Sequence, residues 1–218
     1  MRPREFRRAK RRPRVASTST LAVGDLISYP KRGAHAEGTG LVGMIIFLGS
    51  WAMIFAALFF VYAMMRTNGK VVWPPVDLPR LPVALGGFNT VVLVISSVAL
   101  QLGLFAVRRA RVRAMAVLVT IAAVLGMVFL LLQLVSWEHL WDRGLTADTG
   151  AYASVFYALT ITHGVHVLVG VLALAVLAVR AFRGVFSVPR HQPVRLWTIY
   201  WHFVGVVWIV MFVAVYLI

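Results

Sequence analysis

Three histidines lie inside long apolar runs and are the residues best placed to do chemistry. His163 and His166 sit in ALTITHGVHVLVG, three positions apart, and so share one face of a helix. His202 sits in LWTIYWHFVGVVWIV. An ionisable side chain within a membrane span is costly and marks a candidate functional site. Imidazole offers three kinds of chemistry here. Axial haem ligation needs histidines on facing helices across the macrocycle, whereas His163 and His166 project from one face and His202 is a lone partner. A His-x-x-His metal site needs further donors, and the nearest acids, Glu138, Asp142 and Asp148, all lie toward one end of the neighbouring segments. As neutral groups, the rings would hydrogen-bond across helices or to lipid headgroups, with Gly164 and Gly170 permitting close approach. The residues alone favour this last reading and leave the other two open.

The elements that must carry these residues are transmembrane helices. The chain has 218 residues, 61% hydrophobic and 13% charged, about half the charged fraction of a soluble domain. Five apolar stretches are long enough to cross a bilayer: about 41–65, 83–107, 114–135, 151–179 and 196–218. No period-2 alternation supports a β-barrel, and no internal repeat with interrupted helices supports a transporter. The expected fold is an all-α membrane protein, a five-helix transmembrane bundle over residues 40–218, preceded by a basic, flexible tail at 1–39. With no cysteine, disulfides and thiolate ligands are excluded. The tail has no sustained apolar core of a signal peptide. The net charge of +15 is assigned to topology and to the membrane surface rather than to nucleic acid.

Of the 22 Lys and Arg, 18 fall in the N-terminal tail, the second loop (Arg108, Arg109, Arg111, Arg113) and the fourth loop (Arg180, Arg183, Arg190, Arg195). Basic loops stay cytoplasmic, which puts the N-terminus inside and the C-terminus outside. In the second span, Asn89 and Ser96 fall on one face and Thr90, Ser97 and Gln101 on another, as expected of groups that join helices. Asp148 or Thr149 is expected to cap the fourth helix. Trp197, Tyr200 and Trp201 are expected at headgroup level.

Several motifs, in order, resemble one family. YWHFVGVVW at 200–208 is similar to the Y-W-H-F-V-D-V-V-W signature of subunit III of haem–copper cytochrome c oxidases. GAYASVFYALTITHGVHVLVG resembles that family's G-x-Y-x-S-x-F…H-G-x-H-V-x-x-G segment. GMIIFLGSWAMIFAALFF, WPP at 73–75 and FNTVVLVISS at 88–97 resemble the preceding helix, loop and helix, and Glu138 falls near the family's acidic position.

The resemblance implies a non-redox subunit of a proton-translocating respiratory oxidase in a prokaryotic plasma membrane. Such a subunit packs on subunit I and supports its stability, its lipid binding and its proton supply. It implies no cofactor in this chain, with haem a and copper in partner subunits I and II. Subunit IV is a further candidate partner, phospholipids are bound, and cytochrome c donates electrons to the complex. His163, His166, His202, Trp201 and Glu138 would then bind lipid or make helix contacts. Two positions depart from the pattern: Trp51 stands where the family has Glu, and Gly205 where it has Asp. Their joint loss suggests one shared function. The alternatives are subunit III of a quinol oxidase, a related nitric oxide reductase-associated protein and, in another class, a haem- or quinone-binding membrane anchor.

Overall fold

The computed structural model describes residues 32–67 and 79–217. These form five long helices: α1 (Arg32–Thr67), α2 (Val83–Arg108), α3 (Val112–Trp141), α4 (Ala151–Phe182) and α5 (Gln192–Met211). A 3₁₀ turn, Val188–Arg190, precedes α5, and the wider π-helical segment Phe212–Leu217 continues it. All five helices are long and apolar enough to cross a membrane. No strand occurs among the described residues. The expected basic tail falls largely, and the WPP loop wholly, outside the described residues. The helices overrun the expected spans because their ends carry Arg, His and Trp, which low hydropathy excludes but a helix tolerates. Thus α1 begins at Arg32 rather than near residue 41, and α3 continues through Glu138 to Trp141.

Three of the four helix-to-helix turns are described throughout, and each begins with the same closure. At the end of α3, Gly144 adopts φ +84°, its N–H donates to the Trp141 carbonyl, and the Leu145 N–H reaches back to the Leu140 carbonyl at 3.0 Å. Gly184 does the same after α4, with φ +72° and Val185 N–H to Arg180 O at 3.1 Å. After α2 the left-handed position is Ala110, φ +57°, with Arg111 N–H to Ala106 O at 2.9 Å. This motif satisfies carbonyls that the helix end leaves open.

The start of α4 corrects the expected cap. The N-cap is Gly150, with no side-chain hydrogen bond. Thr146, Asp148 and Thr149 instead bond among themselves: the Thr146 hydroxyl donates to the Asp148 carboxylate and the Thr146 N–H to Thr149 Oγ1. That hydroxyl also holds the Asp148 carboxyl below the usual carboxylate range. The loop is fastened to α4 by Ser154 Oγ on the Ala147 carbonyl (2.6 Å) and by Tyr157 OH on the Leu145 carbonyl (2.6 Å).

Packing is most extensive between α2 and α3 and between α3 and α4, while α5 bridges α4 and α2. Helix α1 leans on α4 and α5 and leaves most of its own surface outward. The largest fully buried side chains are Trp201, Trp208 and Tyr200 of α5, followed by Phe129 of α3 and Phe156 of α4. The last helix is therefore the core element around which α2, α3 and α4 close.

Candidate functional site: aromatic anchors and two separate histidine settings

The centre of the bundle is built on Trp201. Its ring lies between Gly126 of α3 and Gly170 of α4, and a Cβ at either position would come within 2.6 Å of it. No flexible side-chain end is available to give way, so both positions must be glycine for α3 and α4 to approach α5. The indole N–H donates to Ser96 Oγ at 3.0 Å, and the Ser96 hydroxyl donates onward to the Ala122 carbonyl at 2.8 Å. One polar chain thus joins α5, α2 and α3. Trp208 repeats the pattern nearer the other end, its N–H donating to Thr90 Oγ1 at 2.9 Å and Thr90 to Gly86 O at 2.8 Å. Tyr200 OH donates to the His166 carbonyl at 2.9 Å and ties α5 to α4. Tyr200 and Trp201 therefore turn into the core rather than toward headgroups; only Trp197 of that cluster is partly exposed.

The two polar faces expected on α2 serve different neighbours. Asn89 Nδ2 lies 3.4 Å from the Phe129 carbonyl and from Gln133 Oε1 on α3, the side on which Ser96 also bonds. Thr90 and Gln101 meet α5. In lipid such bonds carry association that the hydrophobic effect does not supply.

His163 and His166 are both buried and belong to an aromatic layer shared by α1, α3, α4 and α5. The His163 ring centroid is 5.3 Å from Trp208, 5.8 Å from Phe129 and 6.3 Å from Phe55. Neither of its nitrogens has a hydrogen-bond partner. His166 donates from Nδ1 to the Thr162 carbonyl at 2.7 Å and meets Trp51 edge to face, with centroids 3.8 Å apart. Its Nε2 is also unpartnered.

His202 belongs elsewhere. It is half-buried on α5, with Nε2 3.1 Å from Gln101 Oε1 of α2. Below this pair a cavity of about 330 Å³ opens between α2 and α5, with Thr90, Ser97 and Gly205 on its walls. The three histidines do not converge. Nor do the two departures from the family pattern: Trp51 faces His166 of α4, whereas the nearest atom to a Cβ at Gly205 is Ser97 Oγ of α2, at 3.5 Å. The two departures therefore stand in different surroundings. Glu138 is exposed on the last turn of α3. Among the described residues, no group of three or more His, Asp or Glu could hold a metal ion.

The sequence reading missed Trp208 as a polar anchor and missed the cavity. The signal for both was the Thr90–Ser97–Gln101 face, whose spacing of seven and then four residues already pointed a polar stripe at one neighbour.

Comparison with known proteins agrees with this architecture. A family model described as cytochrome c oxidase subunit III matches residues 22–218. Cytochrome c oxidase subunit 3 of Corynebacterium diphtheriae is 34% identical over 204 residues, covering 91% of this chain and 99% of that protein. The protein of the same name from Synechocystis is 37% identical over 178 residues, 81% of this chain and 75% of its own length. A probable cytochrome c oxidase subunit 3 of Mycobacterium leprae is 35% identical over 202 residues, 92% of this chain and 99% of that protein. With a family match over most of its length, five membrane-crossing helices and these relatives, the chain belongs to the cytochrome c oxidase subunit III family.

Proposed function

We propose that this chain is the redox-free subunit of a cytochrome c-driven, proton-translocating oxidase, with haem a and copper held by subunits I and II. In this reading it packs on subunit I, with subunit IV a further candidate neighbour, stabilises it, binds phospholipid and contributes to its proton supply. It sits in a prokaryotic plasma membrane with the N-terminus and the basic tail at 1–39 cytoplasmic and the C-terminus outside. Exposed Arg108, Arg109, Arg111 and Arg113 in the second loop suit anionic lipid phosphates at the inner face. The observation that carries the proposal is how the membrane-embedded polar groups are spent. Trp201, Trp208, Tyr200, Ser96 and Gln101 are committed to bonds between helices, and the histidines are spread over two settings, with Trp208 standing between them. Such a chain holds a shape and leaves electron transfer to its neighbours.

The test is gentle affinity purification through this chain from native membranes, followed by a subunit inventory and a visible spectrum. The expected product contains an oxidase subunit I and haem a absorbance, and consumes oxygen with reduced cytochrome c. Oxygen consumption with quinol alone would move the assignment to a quinol oxidase. A chain that comes away alone yet coloured would make the histidines ligands and overturn the reading.

A further inference from the structure

The cavity between α2 and α5 has the dimensions of a single hydrocarbon chain. Its length along α2, from Thr90 to Leu102, is about 18 Å at the helical rise. A volume of about 330 Å³ spread over that length makes a channel roughly one hydrocarbon chain wide. It is far too narrow for a helix, whose axis must lie 8–10 Å from its neighbour. Its rim residues Val94, Val98, Leu102, Val206 and Ile209 are exposed on the outside of the bundle, so the slot opens sideways toward lipid.

The cytoplasmic mouth carries charge in register with the slot. Gln101 and His202 join α2 and α5 at this end, with His202 Nε2 and Gln101 Oε1 3.1 Å apart. Arg108 lies seven residues beyond Gln101 on α2, and Arg195 seven residues before His202 on α5. Seven residues are nearly two full turns, so each arginine stands on the face of its helix that lines the slot, about 10 Å nearer the membrane surface. Both are exposed. In the other direction, Gly205 lies about 15 Å below Arg195. That is half the ~30 Å hydrocarbon core, the depth at which one leaflet's chains end.

Gly205 keeps the slot open. Unlike Gly126 and Gly170, it is not required for helix approach: a Cβ there would meet only Ser97 Oγ, at an ordinary 3.5 Å. What a larger side chain would take is space midway along the slot, beside Ser97. We propose that the α2–α5 slot binds one acyl chain of an anionic phospholipid, whose headgroup is held by Arg108 and Arg195 and whose chain end lies beside Gly205. The proposal rests on the lipid part of the reading above, and concerns a site distinct from His163 and His166.

The complex captured through this chain, whatever its other subunits, is placed in phosphatidylcholine vesicles with a trace of phosphatidylglycerol bearing a diazirine near the end of one chain. After illumination, labelled peptides are identified by mass spectrometry. The expected label falls on Val94, Val98 and Val206, well above that from the matching phosphatidylcholine probe. Arg108→Gln lowers it about fivefold, as expected for one cation at an anionic headgroup. Gly205→Leu removes it while label on the outward face of α1, at Ile45 and Met53, persists and reports an intact fold. Gly205→Ala, adding only a Cβ, retains most of it. Equal labelling by the two headgroups, label unaffected by Gly205→Leu, or an unlabelled slot beside a labelled α1 would each overturn the proposal. Absence of subunit I from the captured complex would count against the oxidase assignment alone.

Discussion

A single indole decides how near four helices come. Trp201 fills the space that Gly126 and Gly170 leave, and spends its N–H on Ser96. Gly170→Ala drives a methyl into the ring and is expected to destabilise the purified complex by about 1–3 kcal/mol, read as a lower thermal midpoint in detergent. Gly164→Ala is the control: its Cβ would stand 3.7 Å from Trp137, so ordinary packing and better helix propensity leave stability unchanged or slightly raised. If both glycines tolerated alanine equally, the close fit around Trp201 would be wrong. At this scale the sequence was half legible. The three-residue spacing put His163 and His166 on one face, but their aromatic neighbours come from α1, α3 and α5 and leave no local trace. Trp201 looked like a headgroup residue because hydropathy started the last span near Leu196. The helix starts at Gln192, so the ring lies about 13 Å along it, within the bundle.

Helices and turns carry the next set of consequences. Ala110 occupies the left-handed position that Gly144 and Gly184 hold at the equivalent ends of α3 and α4. An L side chain there costs roughly 1 kcal/mol. Ala110→Gly should therefore raise the thermal midpoint without altering function; a drop would mean that the alanine methyl packs usefully. The departures at Trp51 and Gly205 lie on α1 against α4 and on α5 against α2: Trp51 meets Phe47 and His166, whereas a Cβ at Gly205 would meet Ser97. Groups without common partners act additively. Trp51→Glu and Gly205→Asp are thus expected to change stability or proton pumping by amounts that sum, within about 0.5 kcal/mol on the stability axis. A coupling well beyond that would restore a shared role. Polar residues on α2 were legible as two faces from periodicity alone. Which helix each face meets was not, because that choice belongs to the order in which helices close around α5.

Across the whole molecule, length and hydropathy were enough to give five spans, and the boundaries slipped only where aromatic or charged residues continue a helix past its apolar core. The distribution of Lys and Arg fixes an expected orientation that can be tested directly, since the chain contains no cysteine. Single cysteines at exposed loop positions report one face each. An impermeant thiol reagent applied to whole cells, with the outer barrier opened, should label Asp142→Cys and spare Arg183→Cys until the membrane is breached. The reverse pattern would invert the topology. In the function proposed above, this subunit shapes and supports an oxidase while holding no redox centre of its own. The most direct test is a reduced-minus-oxidised spectrum of the purified complex before and after this chain is stripped away with detergent. All haem a absorbance should stay with the remaining subunits and the released chain should be colourless; haem leaving with the chain would overturn the proposed function.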